Sequence, residues 1–560
     1  MKHLTPQIIS EITRGEYIGN ESARNIRVAG AVRDNRDVQP GNLFVCIRGA
    51  RVDGHSFANG AFESGAACCL AERIIPEARG PYVLVESTLE AIKQLGAYHR
   101  RLFTAPVIGV TGSVGKTTAK ELIAAALGAK LRVLKTPMNL NNELGVPLTL
   151  LSLDERHEAA VIEMGISDFG EMGRLAQMVR PDVFIITKIG HSHIEELGDL
   201  NGVLRAKTEA LAYMAPDGVV ILNGDDEILR EYDIPLLRED NMPLSREYDK
   251  QLLREDNSPL SREYDTPLLR EDNMPLLRED NMPLRRKYDM PLRRKYDTPL
   301  RRKYDALLLR EDNTPLRRKY DMPLRRKFDT PLRWKYDTPL RKITFGTGEN
   351  NDYRAVDIRA EGTDAVLCDI ESDTGRFAVR IPAYGSHLAA LAACAAAVGR
   401  LLGATDEEIT RGLLSYMPVG GRSNIKDTGI ITLIDDCYNA NPHSMEAALT
   451  SLSTLAGRHV AILGDMIGLG AMSDKLHRET GEFAAICGAD CFICCGEKAR
   501  IMFDSYRAVG GNGAYYYPVK ADLITALPGL LKHGDNVLVK ASHAMQFEEI
   551  TGFLQDLHLD

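Results

Sequence analysis

Residues 106–127 carry the feature that most constrains the fold of this chain. An apolar run at 106–110 predicts a buried strand, and the glycines after it predict a turn. Beyond the turn, apolar residues recur at the i, i+3, i+4, i+7, i+8 spacing of one helix face. They are Ala119, Leu122, Ile123, Ala126 and Leu127. Because the N-terminus of such a helix directs backbone N–H groups at the turn, the segment predicts an anion site.

The residues of the turn indicate which anion binds there. Lys116 adds a mobile positive charge for outer phosphates, and the Thr117 hydroxyl is placed to hold Mg²⁺. The strict phosphate-loop spacing has glycine where this chain has Val110. We predict a nucleoside triphosphate site here, and a turn without that role is the alternative. The predicted nucleotide contacts are Gly112, Ser113, Val114, Gly115, Lys116, Thr117 and Thr118.

Polar residues follow the strands predicted next along the chain. Apolar runs at 159–164, 183–187 and 219–222 alternate with helical patterns, which favours a parallel sheet. Ligands of such sheets bind beyond the carboxyl ends of the strands. Glu163 ends the first run and His193 follows the second, so we expect both beside the phosphate loop as Mg²⁺ ligands. Simple solvation of each side chain is the alternative.

Two further α/β units flank this sheet. Residues 1–104 contain a strand pattern at 43–47 and a helix pattern at 58–67. In the C-terminal unit, Pro442 suits the first turn of a helix that extends to residue 455. The strands predicted there are 430–434, 460–463, 491–495 and 537–541. Their alternation with helices predicts a second doubly wound sheet.

Length, charge and composition limit the class of protein. A chain of 560 residues predicts about three domains, and a net charge of −9 argues against a broad nucleic-acid-binding surface. No apolar signal segment is visible in residues 1–15, and the longest apolar run, 388–399, is too short to span a bilayer. Ten cysteines in this length do not suggest a disulfide scaffold. We therefore expect a cytoplasmic protein without a membrane segment.

One cysteine group has the spacing of a metal site. Cys487, Cys491 and Cys494 form a C-x3-C-x2-C pattern, which one type of iron–sulfur cluster uses. The last two lie in a predicted buried strand, where successive side chains point to opposite faces. We therefore predict that these cysteines pack in the core.

Residues 235–338 are a tandem repeat of thirteen octads, of the forms Pro-Leu-Leu-Arg-Glu-Asp-Asn-Met and Pro-Leu-Arg-Arg-Lys-Tyr-Asp-Met/Thr. The first six octads sum to a charge of −5 and the last seven to +10. Proline at nearly every eighth position argues against one continuous helix, since each proline removes a helix hydrogen bond. We predict a solvated polyampholyte insertion, and a stacked solenoid is the alternative.

Several runs together resemble one protein family. They are residues 111–118, 139–147, 163–165, 193–195, 206–209, 435–445 and 464–466. In this order they are similar to the Mur ligases of peptidoglycan synthesis. The runs at 53–57 and 435–445 are similar to the members that add D-Ala-D-Ala to UDP-N-acetylmuramoyl-tripeptide. The resemblance covers the chain except for about 230–341.

The resemblance implies an α/β protein of three domains. A small N-terminal α/β domain at 1–104 would bind the UDP-sugar-peptide. A central P-loop parallel-sheet ATPase domain would comprise 105–229 and 342–427, interrupted by the octads at 230–341. A C-terminal Rossmann-like domain would comprise 428–560.

The resemblance also implies an ATP-dependent amide ligase. The tripeptide carboxylate would attack the γ-phosphate of ATP, and the amine of D-Ala-D-Ala would displace phosphate from the acyl phosphate. ATP and Mg²⁺ would be the cofactors, and we expect a monomer.

Site residues follow from the matched runs. Lys116, Lys207 and His193 would act in catalysis, with Lys207 carrying a carbamate. By the resemblance, the metal ligands are Thr117, Glu163, His193 and Lys207. The ATP contacts outside the loop would be Arg422, Asn439 and Asn441. The substrate contacts would be Asn35, Arg36, Asp53, His55 and Asn141.

Two positions depart from the family pattern. Leu391 stands where members have an asparagine on the adenine side, and His543 stands where an arginine is common. Two other functions stay open. One is a related ligase, of another muramyl-peptide step or of the folylpolyglutamate type, and the other is a nucleotide-binding scaffold that has lost catalysis.

Overall fold

The computed structural model describes residues 4–49, 52–215, 217–234, 340–422 and 424–558. The octads predicted at 235–338 lie outside the described residues, so their predicted conformation stays a prediction. Three sheets organise the described part of the chain, and each is built from strands of one stretch of sequence. This is the multidomain α/β fold that the sequence predicts.

The first sheet has the strand order β1-β5-β4-β3-β2. All neighbours are parallel except β1, which is antiparallel to β5. Its strands are β1 Glu16–Ile18, β2 Gly30–Val32, β3 Asn42–Val45, β4 Cys68–Ala71 and β5 Tyr82–Leu84. Its helices are α1 Pro6–Thr13, α2 Ala58–Glu63 and α3 Thr88–Arg101. The helix predicted at 58–67 is shorter than expected because Gly65, at φ +95°, ends it.

The middle sheet has nine strands in the order β14-β13-β12-β11-β10-β9-β6-β8-β7. Its strands are β6 Val107–Thr111, β7 Val133–Lys135, β8 Ala159–Glu163, β9 Val183–Ile186, β10 Val219–Asn223, β11 Arg341–Gly346, β12 Tyr353–Glu361, β13 Ala365–Ser372 and β14 Gly375–Ile381. Its helices are α4 Lys116–Gly128, α5 Gly145–Leu151, α6 Glu171–Val179, α7 Ile194–Leu197, α8 Leu200–Thr208, α9 Glu227–Glu231, α10 Leu388–Leu401 and α11 Asp406–Leu414.

The strands from which the sequence predicts a parallel sheet, β6, β8, β9 and β10, are parallel in the structure. Strands β6 to β12 are mutually parallel, but β12, β13 and β14 form an antiparallel meander at one edge. The side chains of β13 alternate between buried and half-buried, as expected for a sheet covered on one face. Short turns join these strands, so no crossover helix is needed.

The strands that deliver the phosphate loop are buried on both faces. Ile108 and Val110 of β6 belong to the hydrophobic cluster under α4 and α10, whereas Val107 belongs to the cluster on the opposite face. This alternation fixes the register of β6, since a shift of one residue would exchange its two faces. The phosphate loop therefore starts from a rigid strand.

The middle sheet is continuous across the octad insertion. Strands β10 and β11 are paired in parallel from Val219↔Arg341 to Asn223↔Phe345, although more than a hundred residues separate them in sequence. Asp225, before the insertion, accepts hydrogen bonds from Thr347, Gly348 and Asn351 beyond it, at 2.6–2.9 Å. The sheet thus holds together the two ends of the chain that flank the insertion.

The third sheet has the strand order β15-β16-β20-β17-β18-β19, with only β15 antiparallel. Its strands are β15 Asn424–Asp427, β16 Thr432–Asp435, β17 His459–Gly464, β18 Cys491–Cys495, β19 Ala514–Tyr517 and β20 Asn536–Lys540. Its helices are α12 Pro442–Ser453, α13 Ser473–Ile486, α14 Ala499–Ala508, α15 Lys520–Leu530 and α16 Glu548–Gln555.

The cysteines of β18 pack in the core, as predicted. Cys491 and Cys495 lie in the cluster on one face of the third sheet, and Cys494 lies in the cluster on the other. Cys487 is half-buried beyond the end of α13. Among the helices of the described residues, none combines the length and apolar character needed to cross a bilayer.

Candidate functional site

A cleft of about 930 Å³ lies at the carboxyl-end edge of the middle sheet. The phosphate loop forms its floor, and residues of the first and third sheets complete its walls. Gly112 has φ +147°, and a side chain at this position would collide with the hydroxyl of Thr187. Glycine is therefore required here by both backbone conformation and space.

The phosphate loop presents Lys116 to the cleft. The Lys116 ammonium donates to the carbonyl of Gly112 at 2.8 Å, which folds the side chain back over the loop. Burial lowers the pKa of Lys116, Arg422 acts in the same direction, and Glu163 opposes the shift. Two cations from different sheets thus face one space, which is the electrostatic requirement of a polyphosphate site.

Glu163 lies beside the phosphate loop at the end of β8, where the strand order predicts it. The Thr117 hydroxyl donates to its two carboxylate oxygens at 2.9 and 2.8 Å, and Asn141 Nδ2 donates to Oε1 at 2.8 Å. The side chain is only 1% exposed, so the carboxylate is held in one orientation. Hydroxyl, carboxylate and amide oxygens are ligands that Mg²⁺ prefers.

His193 and Lys207 both lie near Lys116 of the loop. His193 lines the cleft and adopts a left-handed backbone conformation, φ +58°, immediately before α7. Burial, Lys116 and Lys207 lower the pKa of His193, which favours the neutral imidazole that binds metals. Burial also lowers the pKa of Lys207 well below its ordinary value, and the charge of Lys116 adds to this shift.

Lys207 is 3% exposed and does not line the cleft itself. Within the described residues its ammonium forms no hydrogen bond and no ion pair. A buried lysine without an anionic partner costs free energy, so its presence beside a phosphate loop calls for a chemical reason.

The third sheet contributes Arg422, Asn439 and Asn441 to the cleft. The Arg422 guanidinium lies 4.0 Å from the ring centroid of Tyr438, and this stacking holds it at the cleft wall. Asn441 caps α12 by accepting from the backbone N–H of Ser444 at 3.0 Å.

Asn441 also connects the third sheet to the middle one. Its side-chain amide donates to the hydroxyl of Ser192 at 3.4 Å. Ser192 in turn donates to the Ser113 carbonyl of the phosphate loop at 3.3 Å. The two sheets therefore meet at the phosphate loop itself.

The substrate contacts proposed in the first sheet lie elsewhere. Arg36 is an exposed side chain that pairs with Asp34, two residues away. His55 is buried, with Nδ1 2.6 Å from Asp53 and Nε2 accepting from the backbone N–H of Glu72 at 2.9 Å. Asn35, Arg36, Asp53 and His55 do not line the cleft, whereas Asn141 does.

Some residues that line the cleft lie outside the sequence motifs described above. Glu72 and Thr88 line the cleft from the first sheet, and the Thr88 hydroxyl donates to the Glu72 carboxylate at 2.8 Å. Lys540, at the end of β20, is 2% exposed and donates to Asp436 at 2.6 Å. Its position after a buried strand is the signal that would have identified it.

The two departures from the family pattern occupy defined places. Leu391 is buried in α10, and its side chain is the nearest group that a Cβ at Gly115 would meet, at 3.6 Å. It therefore packs apolar surface against the phosphate loop. His543 stacks on Tyr438, with 5.6 Å between the ring centroids. Tyr438 itself lines the cleft.

Three family models match the chain in sequence order. "Mur ligase family, catalytic domain" matches residues 28–100, "Mur ligase middle domain" matches 110–241, and "Mur ligase, glutamate ligase domain" matches 421–543. Together they span more than half of the chain. The chain belongs to the Mur ligase family, and it is an ATP-dependent amide ligase.

Relatives of one activity match over nearly the whole length. The UDP-N-acetylmuramoyl-tripeptide–D-alanyl-D-alanine ligase of Bacillus subtilis is 29% identical, covering 98% of this chain and 97% of that protein. The Escherichia coli enzyme of the same name is 28% identical, covering 99% of each. A crystal structure of MurF from Acinetobacter baumannii superposes with a TM-score of 0.72 at 25% identity, covering 99% of both chains.

Proposed function

We propose that this protein joins D-Ala-D-Ala to UDP-N-acetylmuramoyl-tripeptide at the expense of ATP, in the synthesis of peptidoglycan precursors. The observation that carries the proposal is the cleft, in which a phosphate loop, a carboxylate and cations from two sheets converge. The full-length similarity to ligases of this activity supports the choice of substrates.

The first step joins two anions, since the tripeptide carboxylate attacks the γ-phosphate of ATP. The charges of Lys116 and Arg422 at the cleft would offset this repulsion, and the N–H groups at the start of α4 would donate to the phosphates. The carboxylate oxygen forms a bond to phosphorus, and the bond to ADP breaks. The product is an acyl phosphate.

In the second step, the free amine of D-Ala-D-Ala attacks the acyl carbon. A tetrahedral intermediate forms, the amine loses a proton, and inorganic phosphate leaves. Hydrogen-bond donors and cations around the phosphate stabilise the charge that develops. Asn141 belongs to the wall of the cleft that would receive the substrate, and we assign it a substrate contact on this basis.

The donor set of the cleft fits Mg²⁺. The Thr117 hydroxyl and the Glu163 carboxylate already share hydrogen bonds, and both offer the hard oxygen ligands that this ion prefers. His193 and Lys207 would serve a second ion. When bound, Mg²⁺ neutralises charge on the phosphate oxygens.

We assign Lys207 a carbamate, formed when its neutral amine adds to CO₂ and releases a proton. The modification converts a buried cation without a partner into an anionic oxygen ligand. Its burial beside Lys116 supports this assignment, because a carboxylate here would find a positive neighbour.

The UDP-sugar end of the substrate would be held by the first sheet through Asn35, Arg36, Asp53 and His55. Arg36 is exposed and pairs with Asp34, so an anionic ligand would compete with that carboxylate for it, while His55 fixes Asp53 and the backbone of Glu72. Glu72 lines the cleft, so this network joins the motif to the site. The cytoplasmic location and the monomeric state stay predictions.

Phosphate release measured with purified protein tests the proposed function. Release must require ATP, Mg²⁺, the UDP-tripeptide and D-Ala-D-Ala together, and mass spectrometry must detect the UDP-linked pentapeptide. Tripeptides with diaminopimelate or lysine as third residue establish the preferred substrate. Phosphate release that needs neither peptide substrate, or no release at all, contradicts the proposal.

A further inference from the structure

Lys120 is a buried lysine behind the phosphate loop that the proposed reaction leaves unused. It lies in α4, four residues after Lys116 and three after Thr117, so the three side chains share one face of the helix. Its side chain is completely buried, and it is not among the residues that line the cleft. An ammonium withdrawn from water needs anionic partners.

Two carboxylates and two backbone carbonyls, of Thr136 and Met138, surround the Lys120 ammonium. It donates to the backbone carbonyl of Thr136 at 2.8 Å, and it lies 3.0 Å from Glu121 Oε1 and 3.7 Å from Glu163 Oε2. Glu121 also pairs with Lys135, whose side chain is half exposed. Glu121 therefore has two cationic partners, Lys120 and Lys135. Among the ion pairs of the described residues, Glu163 pairs with Lys120.

Glu163 therefore has two kinds of neighbour, some that line the cleft and one that does not. Thr117 and Asn141, which line the cleft, donate to its carboxylate, and the Lys120 ammonium, which does not line the cleft, lies 3.7 Å from Oε2. The hydroxyl of Thr136 fixes its backbone by accepting from the Glu163 N–H at 2.9 Å. Lys120 thus touches both the carboxylate and the segment that anchors its backbone.

We propose that Lys120 is a positioning residue for the divalent cation of the ATP site, acting through Glu163. The inference rests on the proposed function, in which Glu163 is a metal ligand. A buried carboxylate that binds a cation on one side gains a fixed orientation from a hydrogen-bonded or charged group on its other side. Lys120 supplies that group without contacting nucleotide or substrate.

The alternative is that Lys120 only stabilises the fold by satisfying the Thr136 carbonyl. The two roles differ in what they change. A purely structural lysine affects thermal unfolding and every ligand equally, whereas a positioning lysine affects divalent cation binding more than nucleotide binding.

Mn²⁺ binding in the presence of ADP separates the two roles. Free Mn²⁺ is measured by electron paramagnetic resonance for the wild-type chain and for Lys120→Met, which keeps the length of the side chain and removes its charge. We expect the Mn²⁺ affinity to fall by about tenfold or more. ADP affinity in EDTA should change by less than about threefold, since Lys120 does not line the cleft.

A second variant guards against misfolding. Lys120→Met combined with Glu121→Gln removes one buried cation and one buried anion together, so the interior keeps its charge balance. Thermal unfolding without nucleotide reports the fold of each variant. Wild-type Mn²⁺ affinity in either folded variant overturns the inference, as does an equal loss of Mn²⁺ and metal-free ADP binding.

A double-mutant cycle with Glu163→Gln tests whether Lys120 acts through that carboxylate. If it does, the loss of Mn²⁺ affinity in the double variant is no larger than in Glu163→Gln alone. Additive losses contradict the inference. Because this measurement needs no peptide substrate, its outcome is independent of whether the ligase assay supports the proposed function.

Discussion

The polar residues of the middle-sheet site and those of the first-sheet motif find their partners over very different sequence distances. Glu163 accepts from Thr117, 46 residues away, and from Asn141, 22 residues away. In the first sheet, Asp34 bonds Arg36 and Asp53 bonds His55, and each partner is two residues away. The longer contacts of this motif, from His55 to the Glu72 backbone and from Asp53 to Arg73, stay within the first domain.

The difference distinguishes two kinds of motif. Partners two residues apart meet as soon as a turn forms, so their hydrogen bonds stabilise local structure. Partners brought from separate strands and helices meet only when the whole sheet has formed, and at the carboxyl ends of parallel strands they meet at the ligand-binding edge. Mutations in the two regions should therefore separate catalysis from stability and substrate affinity.

The largest effect is expected at the loop lysine. Lys116→Ala removes the loop cation that we assign to the outer phosphates, and we expect kcat/KM to fall by about a thousandfold or more. Steady-state phosphate release measures the loss, and thermal unfolding shows whether the fold is retained. Turnover within tenfold of wild type in this variant would place the reacting phosphate elsewhere.

Glu163→Gln should have the next largest effect. Glutamine keeps the size of the side chain and one oxygen acceptor for Thr117, but it removes the charge that a divalent cation needs. We expect kcat to fall by about a hundredfold at saturating ATP, with partial recovery at high Mg²⁺. Glu121→Gln is the matched control, since Glu121 is also a buried carboxylate but does not line the cleft. Equal losses of kcat in both variants would contradict the assignment of Glu163 as a metal ligand.

His55→Ala should act on stability first. The change deletes a buried ring that bonds Asp53 and the N–H of Glu72, so we expect the free energy of unfolding to fall by about 2 kcal/mol. The KM for the UDP-tripeptide should rise while kcat changes little. Urea denaturation and substrate titration measure the two effects. An unchanged free energy of unfolding would show that the hydrogen bonds of His55 do not stabilise the fold.

Arg36→Ala is the exposed counterpart of that change. Its pair with Asp34 lies in solvent, so the melting temperature should not change. If the guanidinium binds the UDP-sugar, KM for that substrate rises about tenfold and KM for ATP stays constant. A wild-type KM would exclude Arg36 from the substrate site.

The smallest effect is expected from replacing residues 235–338 by a short linker. Strands β10 and β11 pair across the insertion, and Asp225 accepts a hydrogen bond from Asn351 in the turn after β11. These contacts hold the two flanking segments together without the octads. We expect kcat and KM within about threefold of wild type. A large loss of turnover in a folded variant would assign the octads a role in catalysis.

The sequence by itself determined the phosphate loop, the order of most strands and helices, and the positions of Glu163 and His193. Glycine spacing, hydrophobic period and strand ends are local properties, so they can be read from neighbouring residues. The antiparallel strands β12, β13 and β14 were not predicted. Whether a strand lies at the edge of a sheet, and which of its faces another element covers, depends on the rest of the fold.

Only the tertiary structure decided which side chains share a space. Lys120 is unremarkable on its helix until β8 places Glu163 3.7 Å from its ammonium. Lys540 becomes a cleft residue because β20 lies beside the strand that leads to Asp436. His55 is turned into the first domain by Asp53 and the Glu72 backbone. Burial and charge pairing depend on the whole set of neighbours, and a linear motif does not contain that set.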